Sequence, residues 1–171
     1  SSLVPVPSAI RNYKPNATDM RIFYDAGDRG CFCKLLRNWT ICMGRECVEV
    51  PKQLAVSNQR LRVEGTLITT IGPADFIEYS DLLELQLDGN SLEVIEDGTF
   101  EGLFQLANLS ISSNRLTSIG ADAFRGLAGL QYLRLTKNRF LHLSDVIPSL
   151  VHLHALQSLI LSHNAFGRVE P

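Results

Sequence analysis

Four cysteines and four histidines are the residues best suited to chemistry in this 171-residue chain, and each set is clustered. Cys31, Cys33, Cys42 and Cys47 all precede residue 48. Such an even, tight group serves either a zinc ion or a pair of disulfides. Zinc sites usually place two sulfurs on one turn through a CxxC step, and no such step is present. Two disulfides are the expected use, and they imply an oxidising compartment. The histidines, His142, His152, His154 and His163, lie late in the chain. His152-Leu153-His154 puts two imidazoles on one side of an extended segment, but no third ligand stands at a usable spacing. Solvated histidines on surface loops are expected, with no metal and no cofactor.

Other catalytic constellations are missing. The chain has no GxSxG, HExxH or glycine-rich phosphate loop, and no cysteine remains once two disulfides are drawn. Glu93, Glu96 and Asp97 cluster without a cleft that would raise a carboxyl pKa, so they read as a solvated acidic flank. The function expected is therefore not enzymatic, and what remains is a surface.

The elements carrying that surface follow from composition. Apolar residues make up 45% and charged residues 20%, with a net charge of −2, an ordinary soluble balance of one-domain length. No basic face of the kind that neutralises phosphates is indicated, so nucleic acid is not an expected partner. No apolar run approaches the roughly 18 residues of a membrane span, so any membrane link must come from a region outside this chain. No positively charged start leads into an apolar core, and a secretory signal is likewise expected to lie outside it. Charge runs in blocks: Lys+Arg against Asp+Glu is 9 to 5 over residues 1–60, 1 to 10 over 61–105, and 6 to 3 over 106–171. Leucine is skewed too, with 22 of 26 after residue 60, which calls for a repeat.

The repeat is direct. Leu82 to Leu92 aligns with Leu106 to Leu116, Leu130 to Phe140 and Leu156 to Phe166, each reading LxxLxLxxNxΦ. Asn90, Asn114, Asn138 and Asn164 are separated by 24, 24 and 26 residues, and one step back from Asn90 reaches Thr66 in a degenerate copy. An aliphatic (Ile71, Ile95, Ile119, Leu143) and a phenylalanine (Phe76, Phe100, Phe124) recur in phase. In Leu85-Gln86-Leu87 the period of two makes a short strand with leucines inward, so successive copies stack into a parallel sheet. An inward Asn at each corner can satisfy backbone groups of the adjoining turn, which would cost about 1–3 kcal/mol apiece if left unpaired. Thr66, being shorter, is expected to break that ladder. The phenylalanines fill the opposite, convex side. The fourth copy is two residues longer and carries Ile147-Pro148 in place of Phe, so its convex segment should bulge or change conformation.

Over residues 61–171 the chain resembles the leucine-rich repeat family, and CxC…C…VEVP at residues 31–51 is similar to the cysteine-rich N-terminal flank of its extracellular members. The resemblance implies an α/β repeat solenoid: an arc with a parallel β-sheet on its concave face and a disulfide N-terminal cap. The expected layout is a leader over 1–30, flexible or adding one strand from Arg21 to Asp25; the cap over 31–56; and about four and a half repeats over 57–171, open at the C-terminal end. The flank motif implies a Cys31–Cys42 bridge. This chain departs from the commonest pattern by lacking a cysteine just before the CxC and by carrying Cys47, which leaves Cys33–Cys47 as the expected second bridge. Cys31–Cys47 with Cys33–Cys42 stays open, whereas joining Cys31 to Cys33 would close a strained ring.

Three sequons, at Asn16, Asn38 and Asn108, fit the secretory route and are candidate glycosylation sites. Alternation points Asn108 onto the concave face. The outward strip there offers Arg60, Arg62 and Glu64; Glu84, Gln86 and Asp88; Asn108, Ser110 and Ser112; Tyr132, Arg134 and Thr136; and Ser158, Ile160 and Ser162. Within it the expected partner-binding residues are Arg62, Glu64, Glu84, Gln86, Asp88, Tyr132, Arg134, Thr136 and Ile160. Tyr132 beside Arg134 is the best anchor pair, because Tyr and Arg dominate interface energetics. The expected function is a noncatalytic extracellular protein-binding module, the N-terminal part of a receptor or adhesion ectodomain; the alternative is a free-standing secreted matrix or carrier protein. A protein ligand or co-receptor is the expected partner. The sequence stops inside a repeat, with Leu156, Leu159 and Leu161 facing onward, so either the natural chain is longer or a second copy covers that edge as a homodimer.

Overall fold

Each repeat contributes one strand of about three residues, because only the LxL core of the motif keeps a period of two before the asparagine corner turns the chain. In the computed structural model the described residues are 24–25, 30–52, 54 and 59–168. The Asn16 sequon, nearly all of the 1–30 segment and the expected boundary at 56/57 lie outside them. The strands are β1 (Tyr24–Asp25), β2 (Phe32–Leu36), β3 (Trp39–Met43), β4 (Arg60–Glu64), β5 (Thr70–Ile71), β6 (Glu84–Gln86), β7 (Val94–Ile95), β8 (Asn108–Ser110), β9 (Tyr132–Arg134) and β10 (Ser158–Ile160), with a short helix α1 (Pro73–Phe76) after β5. One eight-stranded sheet runs β1-β2-β3-β4-β6-β8-β9-β10, and β5 pairs with β7 in a second ribbon. From β3 to β10 every neighbour is parallel. The chain is thus a leucine-rich repeat arc with a disulfide cap.

Leu61, Leu85, Leu109 and Leu133 hold equivalent inward positions in register and are buried. Opposite them Phe76, Phe100 and Phe124 are almost wholly buried and stack along the convex side, with ring centroids 5.6 and 6.0 Å apart. At the corners, Asn114 Oδ1 accepts the Leu92 N–H while its Nδ2 donates to the Leu87 and Ser112 carbonyls. Asn138 does the same for Leu116, Ile111 and Leu135. Thr66 does more than interrupt this series. Its hydroxyl donates to Asn90 Oδ1 at 2.7 Å and accepts the Ile68 N–H, so the ladder ends on a bonded threonine.

The cap is a hairpin, and its register corrects the expected disulfides. β2 and β3 pair antiparallel with Cys33 directly opposite Cys42. Their Cα atoms are 4.0 Å apart and they are bridged; Cys31 is bridged to Cys47, with Cα atoms 4.7 Å apart. The expected Cys31–Cys42 and Cys33–Cys47 pairs do not form. An antiparallel ladder nests its cross-links, so with Cys33 facing Cys42 the earlier Cys31 can meet only a residue beyond Cys42. The turn closed by the Cys47 N–H on the Gly44 carbonyl brings Cys47 there. A Cβ on Gly44 would run into the Gly30 carbonyl oxygen, so glycine is required at that approach. β1 pairs antiparallel with β2 through Tyr24 and Asp25. The Tyr79 hydroxyl donates to the Pro51 carbonyl, and Lys52 meets Asp75 at 2.7 Å, fastening the cap to the first convex loop.

The fourth copy departs as its length implies, with 3-10 helices at Leu143–Asp145 and Ile147–His152. Its aliphatic position is Val146, fully buried, and not Leu143, which is 55% exposed. The Asp145 carboxylate accepts the Leu141 and His142 N–H groups and turns the chain early, so the inward slot falls three residues later.

Candidate functional site: the concave face

Two rows of side chains cross the concave face because the parallel strands are in strict register. One row is Arg60, Glu84, Asn108, Tyr132 and Ser158; the other is Arg62, Gln86, Ser110, Arg134 and Ile160. A shallow groove runs along them, floored by Leu85, Leu109 and Leu133 and lined by Glu84, Gln86, Asp88, Asn108, Ser110, Tyr132, Arg134, Ser158 and Ile160. Tyr132 is 48% exposed and Ile160 37%, so the far side of the groove offers an aromatic and an aliphatic surface beside the exposed Arg134.

The near side is an internally bonded network. Arg60 meets Glu84 at 3.3 Å and Arg62 Nε donates to Gln86 Oε1 at 2.9 Å. Both guanidinium groups lie over the ring of Trp39, at 5.8 and 5.0 Å from its centroid. Trp39 escaped the sequence reading because it belongs to the cap. The clue was present, since it begins the strand after the cap turn and β3 continues the parallel sheet into β4. Arginine over Trp contributes about 0.5–1 kcal/mol at an exposed site, which holds these arginines in place rather than leaving them free.

Two residues read as outward surface have other roles. Ser112 is buried, and its hydroxyl accepts the Thr136 N–H. Asp88 Oδ1 accepts both the Ser110 hydroxyl and the Ser112 N–H at 2.7 Å, so this carboxylate holds the next repeat's backbone. Asp88→Ala is accordingly expected to lower stability by roughly 1–2 kcal/mol, while Glu84→Ala, losing only a partly exposed ion pair, stays within about 0.5–1 kcal/mol; urea denaturation of the two variants checks the contrast. Glu64 lies along a second groove at the strand exits, with Phe32, Met43, Arg45 and Gly89. Thr136 is half-buried beyond the end of β9.

The sequons differ in setting. Asn38 is exposed in the turn between β2 and β3. Asn108 lies on the central strand β8, and its Oδ1 is buried with no hydrogen-bond partner. On the convex side His152 is not simply solvated, because its Nε2 lies 2.9 Å from Asp122 Oδ1 of the preceding repeat. Glu93, Glu96 and Asp97 are exposed, with Glu93 3.9 Å from Arg115. Among the described residues no three metal-binding side chains come together, and no helix is long and apolar enough to cross a membrane.

Residues 104–166 match the family described as leucine rich repeat. No curated protein resembles the chain closely enough to match. Among solved structures it is similar to TLR13 in its complex with ssRNA13, at 26% identity and a TM-score of 0.55 over 78% of this chain and 22% of that one. It is also similar to human 5T4 (Wnt-activated inhibitory factor 1, trophoblast glycoprotein), at 25% identity and a TM-score of 0.60 over 83% of this chain and 64% of that one. The chain therefore spans about a fifth of the first relative's length and under two thirds of the second's.

Proposed function

The chain is a leucine-rich repeat protein with a cysteine-rich N-terminal cap, and on that premise we propose that it is a noncatalytic extracellular module whose concave face recognises a protein. It would act as the N-terminal part of a cell-surface receptor or adhesion ectodomain. The observation that carries the reading is the concave groove, where exposed Tyr132, Arg134 and Ile160 stand beside the fixed Trp39, Arg60 and Arg62 network. A rigid sheet presenting aromatic and arginine side chains needs little ordering on binding, and such residues dominate interface energies. The two disulfides and the likeness to the 5T4 and TLR13 chains support the extracellular assignment. A glycan on Asn108 would fill the middle of the groove, so this reading places the glycan on Asn38 instead.

Photo-crosslinking tests the assignment. With benzoylphenylalanine at position 160 in the groove, or at position 104 in the loop leading into β8, the disulfide-bonded protein is incubated with intact cells and irradiated. A crosslinked cell-surface protein is expected from position 160 and not from 104. Crosslinking from 104 alone would move recognition off the concave face.

A further inference from the structure

The ionic groups of the concave face divide by repeat. On the cap side they satisfy one another, Arg60 with Glu84 and Arg62 with Gln86. One repeat on, the Asp88 carboxylate is occupied by Ser110 and Ser112. Beyond it stands Arg134, exposed and, among the described residues, without an ion pair or a hydrogen bond to its side chain. Its neighbours in register are Ser110 and Ile160, and Tyr132 precedes it on the same face. None of the three carries charge to answer it.

A second group in the same groove is also unanswered. Asn108 Oδ1 is buried with no partner, although Asn108 lines the groove one strand from Tyr132. Turning this amide into the groove would exchange an unpaired buried acceptor for a hydrogen bond from a ligand N–H. In a sheet, one strand across and two residues along is a separation of about 8 Å, within reach of a single extended peptide. The groove therefore holds a cation lacking a partner, set beside an aromatic side chain, an aliphatic side chain and an amide whose unpaired oxygen reaches a ligand once the side chain turns outward.

We propose that the protein partner lays an extended segment here, its Asp or Glu carboxylate taken by the Arg134 guanidinium and a backbone N–H taken by Asn108 Oδ1. An apolar residue next to the acid packs on Tyr132 and Ile160. This rests on the concave face being the recognition surface. A guanidinium presents two parallel N–H groups matched to the two oxygens of a carboxylate, which gives direction as well as charge. An acidic protein segment fits better than a polyanion, because nucleic acids and sulfated glycans draw affinity from a run of cations along the backbone, and these two rows hold one uncommitted cation.

The test uses a phage-displayed random 12-residue peptide library, selected on the disulfide-bonded chain, with selected peptides titrated by fluorescence anisotropy. The expected consensus is Asp or Glu beside an apolar residue. Arg134→Gln should weaken those peptides about tenfold or more, and selection on Arg134→Glu should replace the acid with Lys or Arg. Several outcomes overturn the proposal: no enriched peptide, a consensus without an acid, or acidic peptides indifferent to Arg134→Gln. An acid-free consensus that Tyr132→Ala still abolishes would defeat this inference and leave the concave reading standing. Indifference to both Tyr132→Ala and Arg134→Gln would defeat both. Heparin or a single-stranded RNA 13-mer that binds at 150 mM salt and displaces the peptides in an Arg134-dependent way would assign the site to polyanions instead.

Discussion

Phe100→Ala is expected to lower the unfolding free energy by about 3–5 kcal/mol, among the largest effects of any single substitution in the chain. Phe100 is fully buried and has a ring neighbour on each side, Phe76 at 5.6 Å and Phe124 at 6.0 Å. Truncation removes both contacts and opens a cavity that two adjacent repeats must share. In a solenoid each repeat is held by its neighbours, so the loss falls on the interfaces before and after the second copy. Phe100→Leu keeps most of the volume and should cost about 1–2 kcal/mol. Chemical denaturation of both variants checks the ratio. Equal, small effects would mean that the convex stack does not carry the arc.

Breaking the Cys33–Cys42 bridge is the second large effect. The cap has little core of its own, and its two strands are held by this bridge and by the nested Cys31–Cys47 bridge. Cys33→Ser with Cys42→Ser should cost roughly 2–5 kcal/mol and lower the melting temperature, and reduction of the intact protein should act in the same direction. The pairing itself is read by digestion without reductant. Cleavage after the exposed Phe32 separates Cys31 from Cys33, and cleavage after the exposed Arg45 separates Cys42 from Cys47, after which one species should join Cys33 to Cys42 and another Cys31 to Cys47. A Cys33–Cys47 peptide would contradict the hairpin register.

How far the fold was legible depended on whether a pattern repeated. The LxL strands could be placed because four copies agree on them, and the convex phenylalanines recur with the same phase. The disulfides had no repeat to read. Analogy with the family's flank suggested one pairing, whereas the two strands meeting at Arg37-Asn38 already imply another: an antiparallel hairpin centred there sets residue 33 against residue 42. Leu143 was misplaced because the fourth copy's extra residues enter ahead of its inward slot, and Asp145 decides where the chain turns.

The binding face was partly legible for a related reason. Alternation puts Tyr132, Arg134 and Ile160 outward, and they line the groove. The same rule failed for Ser112 and Asp88, which lie beyond the last paired residues of their strands, where the chain turns and side chains bond across to the adjoining repeat. Trp39 carries no repeat signature because it lies in the cap, although the cap's second strand is the first parallel member of the binding sheet.

Recognition by the concave face is open to direct measurement. Its most direct test is binding of the fluorescently labelled, disulfide-bonded protein to intact cells, comparing Tyr132→Ala with Arg134→Ala against Ile77→Ser with Phe104→Ser. All four positions are exposed, so each double variant should keep the far-ultraviolet circular dichroism and melting temperature of the parent. The concave pair should lose about tenfold or more in apparent affinity while the second pair binds like the parent. Loss from the Ile77 and Phe104 pair with an unaffected concave pair would contradict it.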